Sequence, residues 1–352
     1  MTLNGAQLIV TTGYLKQSLF ANLYRGVVSE PPPPDLKSLT SVFFALHLAG
    51  GHIGLPLLVA TFCISKTTKR HLTVINFCIV WILYSIIYCL LIYGGELENP
   101  PYGLCLTQAA MNYAAPPMAV VAGLEVVLQI WSTFVEPWKE ARLANIPQWL
   151  KMVAIIVPPY LTFIAFAIPA AYVGHQNPHW VQVKNGLYCG LMYGHFEMYA
   201  VPIFCGIFLL FIIGFELATI IRIIRGRQII KRDFPLAKAK RPSLSPWCRA
   251  ALFLIYATLA LGACIMDLKQ DPSIFGYMIQ AALPLAAFLV FGLQKDVALT
   301  WFYRNRKPRW DPDDEIRASV DSQRVVRSLS IITASTIGST TPIATHPSSS
   351  IV

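Results

Sequence analysis

Residues 105–135 read CLTQAAMNYAAPPMAVVAGLEVVLQIWSTFV, an apolar stretch whose single charged side chain is Glu125. An α-helix rises about 1.5 Å per residue, so about 20 apolar residues cross the roughly 30 Å hydrocarbon core of a bilayer. A chain in lipid must satisfy its own backbone polar groups, which favours a helix over an irregular segment. The stretch therefore predicts a membrane-spanning helix.

Six further stretches of the chain pass the same test. They lie at 41–64, 72–94, 152–173, 198–221, 250–266 and 274–293. The whole chain is 55% hydrophobic and 13% charged, whereas a typical soluble domain contains about 25% charged residues. We therefore predict an all-α integral membrane protein built as a bundle of seven transmembrane helices.

The Lys and Arg residues divide unequally between the two sides that seven spans would create. The loops after the first, third and fifth spans, together with the start of the C-terminal segment, carry 21 of them, and the opposite side carries five. The rich side is cytoplasmic by the positive-inside rule. The N-terminus is thus expected outside and the C-terminus in the cytoplasm of a multi-pass protein of the plasma membrane.

Three segments follow from this topology. Residues 1–39 form an extracellular N-terminal segment, residues 40–303 form the bundle, and residues 304–352 form a cytoplasmic tail, rich in Ser and Thr, that we expect to be disordered. The net charge of +10 is explained by the positive-inside bias. No zinc spacing, Walker loop or dinucleotide fingerprint is present, so we expect no nucleic-acid partner and no cofactor.

Two of the eight cysteines lie plainly on the predicted outer, oxidising side. Cys105 begins the third span, and Cys189 lies in the loop between the fourth and fifth spans. A disulfide between them would hold that loop across the mouth of the bundle. The alternatives are two free thiols, or pairing with Cys89 or Cys264, which lie near the outer ends of their spans.

Polar and aromatic residues gather at the predicted outer ends of several spans and are candidates for binding an extracellular ligand. Gln108 and Asn112 share one face of the third span, and Tyr277 and Gln280 share one face of the seventh. Asp267, Tyr256 and Tyr199 lie near the same end. The alternative interpretation is an interfacial aromatic belt with ordinary hydrogen bonds between helices.

Two residues within the spans are candidates for a conformational switch. A charged side chain in mid-membrane costs about 2.5–3.5 kcal/mol on insertion scales, so Glu125 needs a reason to be there. It is a candidate for a buried polar contact with Asn76, Tyr84 or another helix, and the alternative is a static packing role. Pro284 in the seventh span removes a helical hydrogen bond and can kink its helix.

Seven spans, an outer N-terminus, and a cysteine at the start of span three with a partner in the second outer loop together resemble the G-protein-coupled receptor superfamily. The resemblance extends to a basic third inner loop and a Ser/Thr-rich tail. After span seven, Val297 and Trp301 are spaced like one face of a helix, as in the short amphipathic eighth helix of such receptors. Residues 291–296, FGLQKD, resemble the ends of span seven in uncharacterised fungal receptors of this architecture.

The resemblance implies signalling without catalysis. An extracellular ligand would shift the population of bundle packings, and a heterotrimeric G protein would sense the change at the cytoplasmic side. The candidate contacts for its Gα subunit are basic residues of the inner loops, namely Arg222, Arg225 and Arg142. The alternative interpretation of these charges is membrane topology plus contact with anionic lipids.

The chain departs from the rhodopsin-like class at both of that class's marker motifs. Residues 129–134 read QIWSTF where the class has an acidic-Arg-aromatic triplet, and residues 283–287 read LPLAA where it has Asn-Pro-x-x-Tyr. The chain is therefore not a typical member of that class, and the activation switches of the class cannot be transferred to it.

Three other functions of seven-helix proteins fit the sequence less well. A retinal protein needs a Lys in span seven, and residues 274–293 contain none. An intramembrane metal hydrolase needs several His and acidic groups at one point, whereas His47 and His52 form the only intramembrane His pair and lie five residues apart. A secondary transporter remains the main alternative, although the seven unequal spans show no clear internal repeat.

Overall fold

A computed structural model describes residues 36–65, 70–95, 97, 99–132, 147–184, 186–191, 199–233, 245–269, 274–294, 297, 300 and 301. Residues 1–35 of the predicted N-terminal segment, the whole predicted tail 304–352, and Arg142 lie outside this part of the chain. The bounds of the predicted segments therefore stay predictions.

Apolar helices make up most of the described chain. Six of them are long and apolar enough to cross a membrane, and one apolar helix of 17 residues is shorter. The long helices are α1 (Thr40–Ile64), α3 (Tyr102–Ser132), α4 (Gln148–Gln176), α5 (Val201–Asp233), α6 (Ser245–Lys269) and α7 (Ile274–Gly292), and the shorter one is α2 (Leu72–Tyr88). The chain is thus a multi-pass membrane protein.

Helix α2 is shorter than the 72–94 stretch predicted from the sequence. It ends at Tyr88, Cys89 forms a turn, and five further helical residues follow at Leu90–Gly94. Gly95 then terminates the segment in the left-handed conformation at φ 71°, which glycine adopts without steric cost. Hydropathy alone does not show such a break because the residues around Cys89 stay apolar.

Helix α1 contains a π-helical segment, Leu48–Gly54, between two α-helical parts. Its glycines allow close approach to other helices. A Cβ atom on Gly50 would fall on the backbone of Leu285 in α7, and one on Gly51 would fall on the Ser85 side chain in α2. The glycines thus set how closely α1 packs against both neighbours.

A β-hairpin lies in the connection between α4 and α5. Strand β1 (Val181–Lys184) pairs antiparallel with β2 (Tyr188–Leu191), so that Val181 faces Leu191 and Lys184 faces Tyr188. All four residues of β2 are buried. Because β2 packs against α3, the hairpin covers one end of the bundle, which we call the hairpin end.

Helix α3 is the central element and packs against α2, α4 and α5 as well as the hairpin. Helix α4 is peripheral, and its large apolar side chains point outward, with Leu161 and Ile168 exposed by 59% and 64%. In a bilayer, such an exposed apolar face lies against lipid.

Candidate functional site

The hairpin is covalently fixed to the bundle at the start of α3. A disulfide joins Cys105 in α3 to Cys189 in β2, with the two Cα atoms 5.2 Å apart. The sequence prediction of this pair is confirmed, and the alternative partners Cys89 and Cys264 are free thiols. The loop is therefore held against α3.

Gln108 and Asn112, one and two turns further along α3, bind the backbone of the same strand. Gln108 is fully buried; its Oε1 accepts a hydrogen bond from the Cys189 N–H at 2.9 Å, and its Nε2 donates to the Ile87 carbonyl at 3.0 Å. The Asn112 Nδ2 donates to the Cys189 carbonyl at 3.0 Å. Gln108 thus links the end of α2 to β2, and a ligand-binding role for either residue stays a prediction.

An aromatic cluster fills the space below the hairpin between α1 and α2. Tyr188 of β2 packs on Phe43 and Tyr88, at ring-centroid distances of 6.1 and 5.1 Å. His47 is fully buried and stacks on Tyr88 at 5.3 Å. Burial raises the pKa of the Tyr188 hydroxyl well above its usual value, so this side chain is neutral at physiological pH. The hairpin end is therefore closed by uncharged packing on this side.

Deeper in the bundle lies a cavity of about 60 Å³. The empty space around it, counted together with its opening, is about 590 Å³. Its walls come from five helices, α2, α3, α5, α6 and α7. They are formed by Phe77, Trp81, Tyr84, Pro116, Ala119, Val120, Gly123, Cys205, Leu209, Ile212, Phe253, Tyr256, Ala257, Ala260, Ala263, Cys264, Gln280 and Leu283.

Two polar groups of the cavity walls have no hydrogen-bond partner within the part of the chain that the structure describes. These are the indole N–H of Trp81 in α2 and the hydroxyl of Tyr256 in α6, whose side chains are only 4% and 8% exposed. Their rings pack against each other with centroids 6.0 Å apart. A buried donor without a partner costs about 1–3 kcal/mol, so this pair marks a place where an acceptor is favourable.

The predicted ligand-binding residues are divided among different surroundings. Tyr256 and Gln280 line the cavity, and the Gln280 Nε2 donates to the Asp267 carboxylate at 3.2 Å. Asp267 itself is exposed near the end of α6, Tyr277 is half-buried against the core, and Tyr199 is 44% exposed just before α5. The structure thus brings only part of the predicted set to the cavity.

The candidate switch residue Glu125 lies in a buried polar group that joins three helices. Both of its carboxylate oxygens are buried, and the Asn76 amide of α2 lies beside them. Asn76 in turn accepts a hydrogen bond from the Tyr160 hydroxyl of α4 at 3.0 Å. Pro284 is buried in α7. The α7 backbone at Pro284 and Leu285 lies close to Gly50 of α1.

At the end opposite the hairpin, α3 and α5 are joined through a cation–π contact. The Arg222 guanidinium lies 4.4 Å from the centre of the Trp131 ring, and Trp131 packs edge-on against Phe215 at 5.7 Å. Helix α5 continues to Asp233, so Arg222 and Arg225 lie on a helix beyond the predicted span end at residue 221. Arg225 is exposed there.

At the same end, residues at and beyond the end of α7 form hydrogen bonds to other parts of the chain. The Arg70 guanidinium donates to the Gln294 Oε1 at 2.5 Å. Beyond α7, residues 297, 300 and 301 are helical; Val297 is buried, and the Trp301 Nε1 donates to the Thr61 hydroxyl of α1 at 2.8 Å. The start of the predicted amphipathic helix thus packs on α1.

Trp81 at the cavity and Tyr160 beside the Glu125 group were not predicted from the sequence. A Trp inside an apolar span is one available signal, because its N–H requires a partner when it is buried.

No group of three or more His, Cys, Asp or Glu side chains suited to a metal ion occurs in the part of the chain that the structure describes. No known protein-family model matches the chain, and no curated protein matches it significantly in sequence.

Proposed function

We propose that this chain is a seven-helix receptor of the plasma membrane that passes an extracellular signal to a heterotrimeric G protein. In this proposal α2, together with its short extension Leu90–Gly94, also crosses the membrane, which brings the number of spans from six to seven. It places the hairpin end outside and the basic continuation of α5 in the cytoplasm, as the Lys and Arg distribution predicts.

The observation that carries the proposal is a cavity whose walls come from five different helices, below an end closed by a disulfide-fixed hairpin. A molecule bound there would contact α3, α5, α6 and α7 together. Any ligand that prefers one packing of these helices shifts the population toward it. The change would then reach the opposite end along the helices themselves.

The second supporting feature is the arrangement at the opposite end. Arg222 and Arg225 stand on the last turns of α5, and Arg222 contacts α3 through Trp131. A change in the relative position of α3 and α5 would therefore alter the surface offered to a cytoplasmic partner. Exposed arginines at such a surface suit an acidic or carbonyl-rich partner surface.

The test is whether the chain forms a complex with a Gα subunit that a GTP analogue dissociates. The full chain is co-expressed with each of several Gα subunits and Gβγ, purified in detergent without nucleotide, and treated with a non-hydrolysable GTP analogue. We expect one Gα to co-purify and to be released by the analogue. Arg225→Glu should weaken the complex, whereas Lys269→Glu, the same charge change at the hairpin end, should leave it unchanged. Co-purification that ignores the nucleotide, or none with any Gα, contradicts the proposal.

A secondary transporter is the second candidate, and the interruptions of α1 and α2 favour it. The π-helical segment Leu48–Gly54 and the turn at Cys89 break regular α-helix within the membrane region. Transporters place their sites at such interrupted helices. Solute flux in sealed proteoliposomes, combined with no nucleotide-sensitive complex, would favour transport over signalling.

A further inference from the structure

We infer that the cavity between α2, α3, α5, α6 and α7 binds a small, uncharged and mostly apolar molecule that offers a hydrogen-bond acceptor to Trp81 and Tyr256. That this molecule is the ligand of a receptor rests on the proposed function. That it binds in the cavity does not.

The walls of the cavity exclude charged molecules. Among the described residues that form its walls there is no Asp, Glu, Lys, Arg or His, and most are aliphatic, aromatic or alanine side chains. Moving an ion from water into such surroundings is costly unless an opposite charge pairs with it. Gln280, the amide among these wall residues, already donates to Asp267.

The two unpartnered donors define the polar end of the ligand. An indole N–H can only donate, so the group that satisfies Trp81 must be an acceptor. The Tyr256 hydroxyl is equally buried and lies on the neighbouring ring. One carbonyl oxygen has two lone pairs and can accept from both donors. Ketones, aldehydes, esters and lactones have this chemistry.

The size of the cavity selects a compact ligand. About 60 Å³ is well below the roughly 300–1,000 Å³ of ordinary ligand pockets. Small wall residues provide the space, among them Ala119, Gly123, Ala257 and Ala260. A single ordered water is the competing occupant. It needs two to four polar partners, and the walls offer the two free donors in otherwise apolar surroundings.

The cysteines of the chain allow a direct binding assay. Cys264 lines the cavity, whereas Cys63 is exposed on α1. The full-length chain in nanodiscs is alkylated with N-ethylmaleimide, and both sites are followed by mass spectrometry. Cyclopentanone is the probe, methylenecyclopentane is its shape-matched hydrocarbon without an acceptor, and cyclopentylamine is a charged analogue.

We expect cyclopentanone to slow alkylation of Cys264 saturably and to leave Cys63 unchanged. Methylenecyclopentane should need a concentration roughly 5- to 150-fold higher for the same protection, the usual combined effect of two hydrogen bonds. Trp81→Phe and Tyr256→Phe should each reduce this advantage of the ketone. Tyr172→Phe, a change at a 65% exposed site on α4, should keep it.

Equal protection by the ketone and the hydrocarbon, protection by the charged amine as strong as that by the ketone, or no protection by any probe would overturn the inference. So would a ketone advantage that both Phe variants retain. Tyr256→Phe keeps the ring and loses no hydrogen bond to the described part of the chain, so its thermal stability should match that of the parent; a clear fall would show that the hydroxyl is already satisfied, by protein or by a bound water. Because no G protein is present, this assay can fail while the nucleotide-sensitive complex forms, and the reverse.

Discussion

At Gly50, the backbones of α1 and α7 touch. A methyl group there would overlap the Leu285 backbone, and a backbone cannot move aside as a flexible side chain can. Overpacking of this kind costs about 1–3 kcal/mol. We therefore expect Gly50→Ala to lower the melting temperature of the purified chain in detergent by several degrees.

Gly214 in α5 is the matched control for that substitution. A Cβ atom there meets nothing within 4 Å, and alanine is the better helix former by about 0.5–1 kcal/mol. Gly214→Ala should leave the melting temperature equal or slightly higher. An unchanged melting temperature in Gly50→Ala would show that α1 and α7 are not in this close contact.

The contact between Arg222 and Trp131 makes a second prediction at the residue scale. A cation–π contact at an exposed site is worth about 0.5–1 kcal/mol. If it holds α3 and α5 in the resting arrangement, Trp131→Leu should raise basal nucleotide exchange on the cognate Gα about 2- to 5-fold.

Trp131→Phe, which keeps an aromatic face for Arg222, is the control and should retain most of the parent's low basal rate. Equal basal rates in the parent, Trp131→Leu and Trp131→Phe would show that this contact has no part in the resting state.

At the scale of elements, the hairpin depends on Gln108 as well as on the disulfide. Gln108→Leu keeps the approximate volume but removes the acceptor of the buried Cys189 N–H and one of the donors to the Ile87 carbonyl. A buried N–H that loses its acceptor costs about 1–3 kcal/mol. We expect external trypsin to cut after Lys184 faster in this variant on intact cells, even with the disulfide formed.

The exposed Gln182 of β1 is the control for the hairpin. Its amide donates to the nearby His179 carbonyl at 2.9 Å and not to the bundle as the structure describes it, so Gln182→Leu should leave the rate of cleavage after Lys184 unchanged. Equal cleavage rates in Gln108→Leu and the parent would mean that the disulfide alone fixes the hairpin.

At the scale of elements, the long helices and the disulfide could be predicted from the sequence, whereas the break in α2 could not. Long apolar stretches predicted the six long helices because a bilayer admits few other structures, and the outer-side cysteines predicted the disulfide. The break at Cys89 was missed because the residues around it stay apolar; the carbonyls of Ile87 and Tyr88 beside it accept hydrogen bonds from Gln108, 19 positions further along the chain. Spacing along one helix cannot show such a contact between helices.

The candidate site was predicted less completely than the helices. Tyr256 and Gln280 were selected and do line the cavity, but Trp81 was not, because an apolar stretch gives no sign of which side chains point inward. Gln108 and Asn112 share a face of α3 as expected, yet the residue they meet there is Cys189 of the hairpin.

At the scale of the whole molecule, the orientation is a prediction from charge alone. Lys269 ends α6 at the hairpin end, and Arg225 stands at the opposite end of α5; both are exposed. With Lys269→Cys and Arg225→Cys in separate variants, a membrane-impermeant maleimide applied to intact cells should label only the first. Arg225→Cys should be labelled only after permeabilisation. The reverse pattern would place the hairpin end in the cytoplasm and contradict the receptor topology.

The central claim is that this bundle activates a G protein, and nucleotide exchange on a co-expressed Gα in isolated membranes tests it most directly. The intact chain is compared with a variant in which residues 234–243, beyond the end of α5, are deleted, with surface expression matched. The account predicts basal exchange above that of membranes lacking the chain, lost in the deletion. Exchange no higher than in those membranes, across several Gα subunits and with the small ketone present, would contradict it.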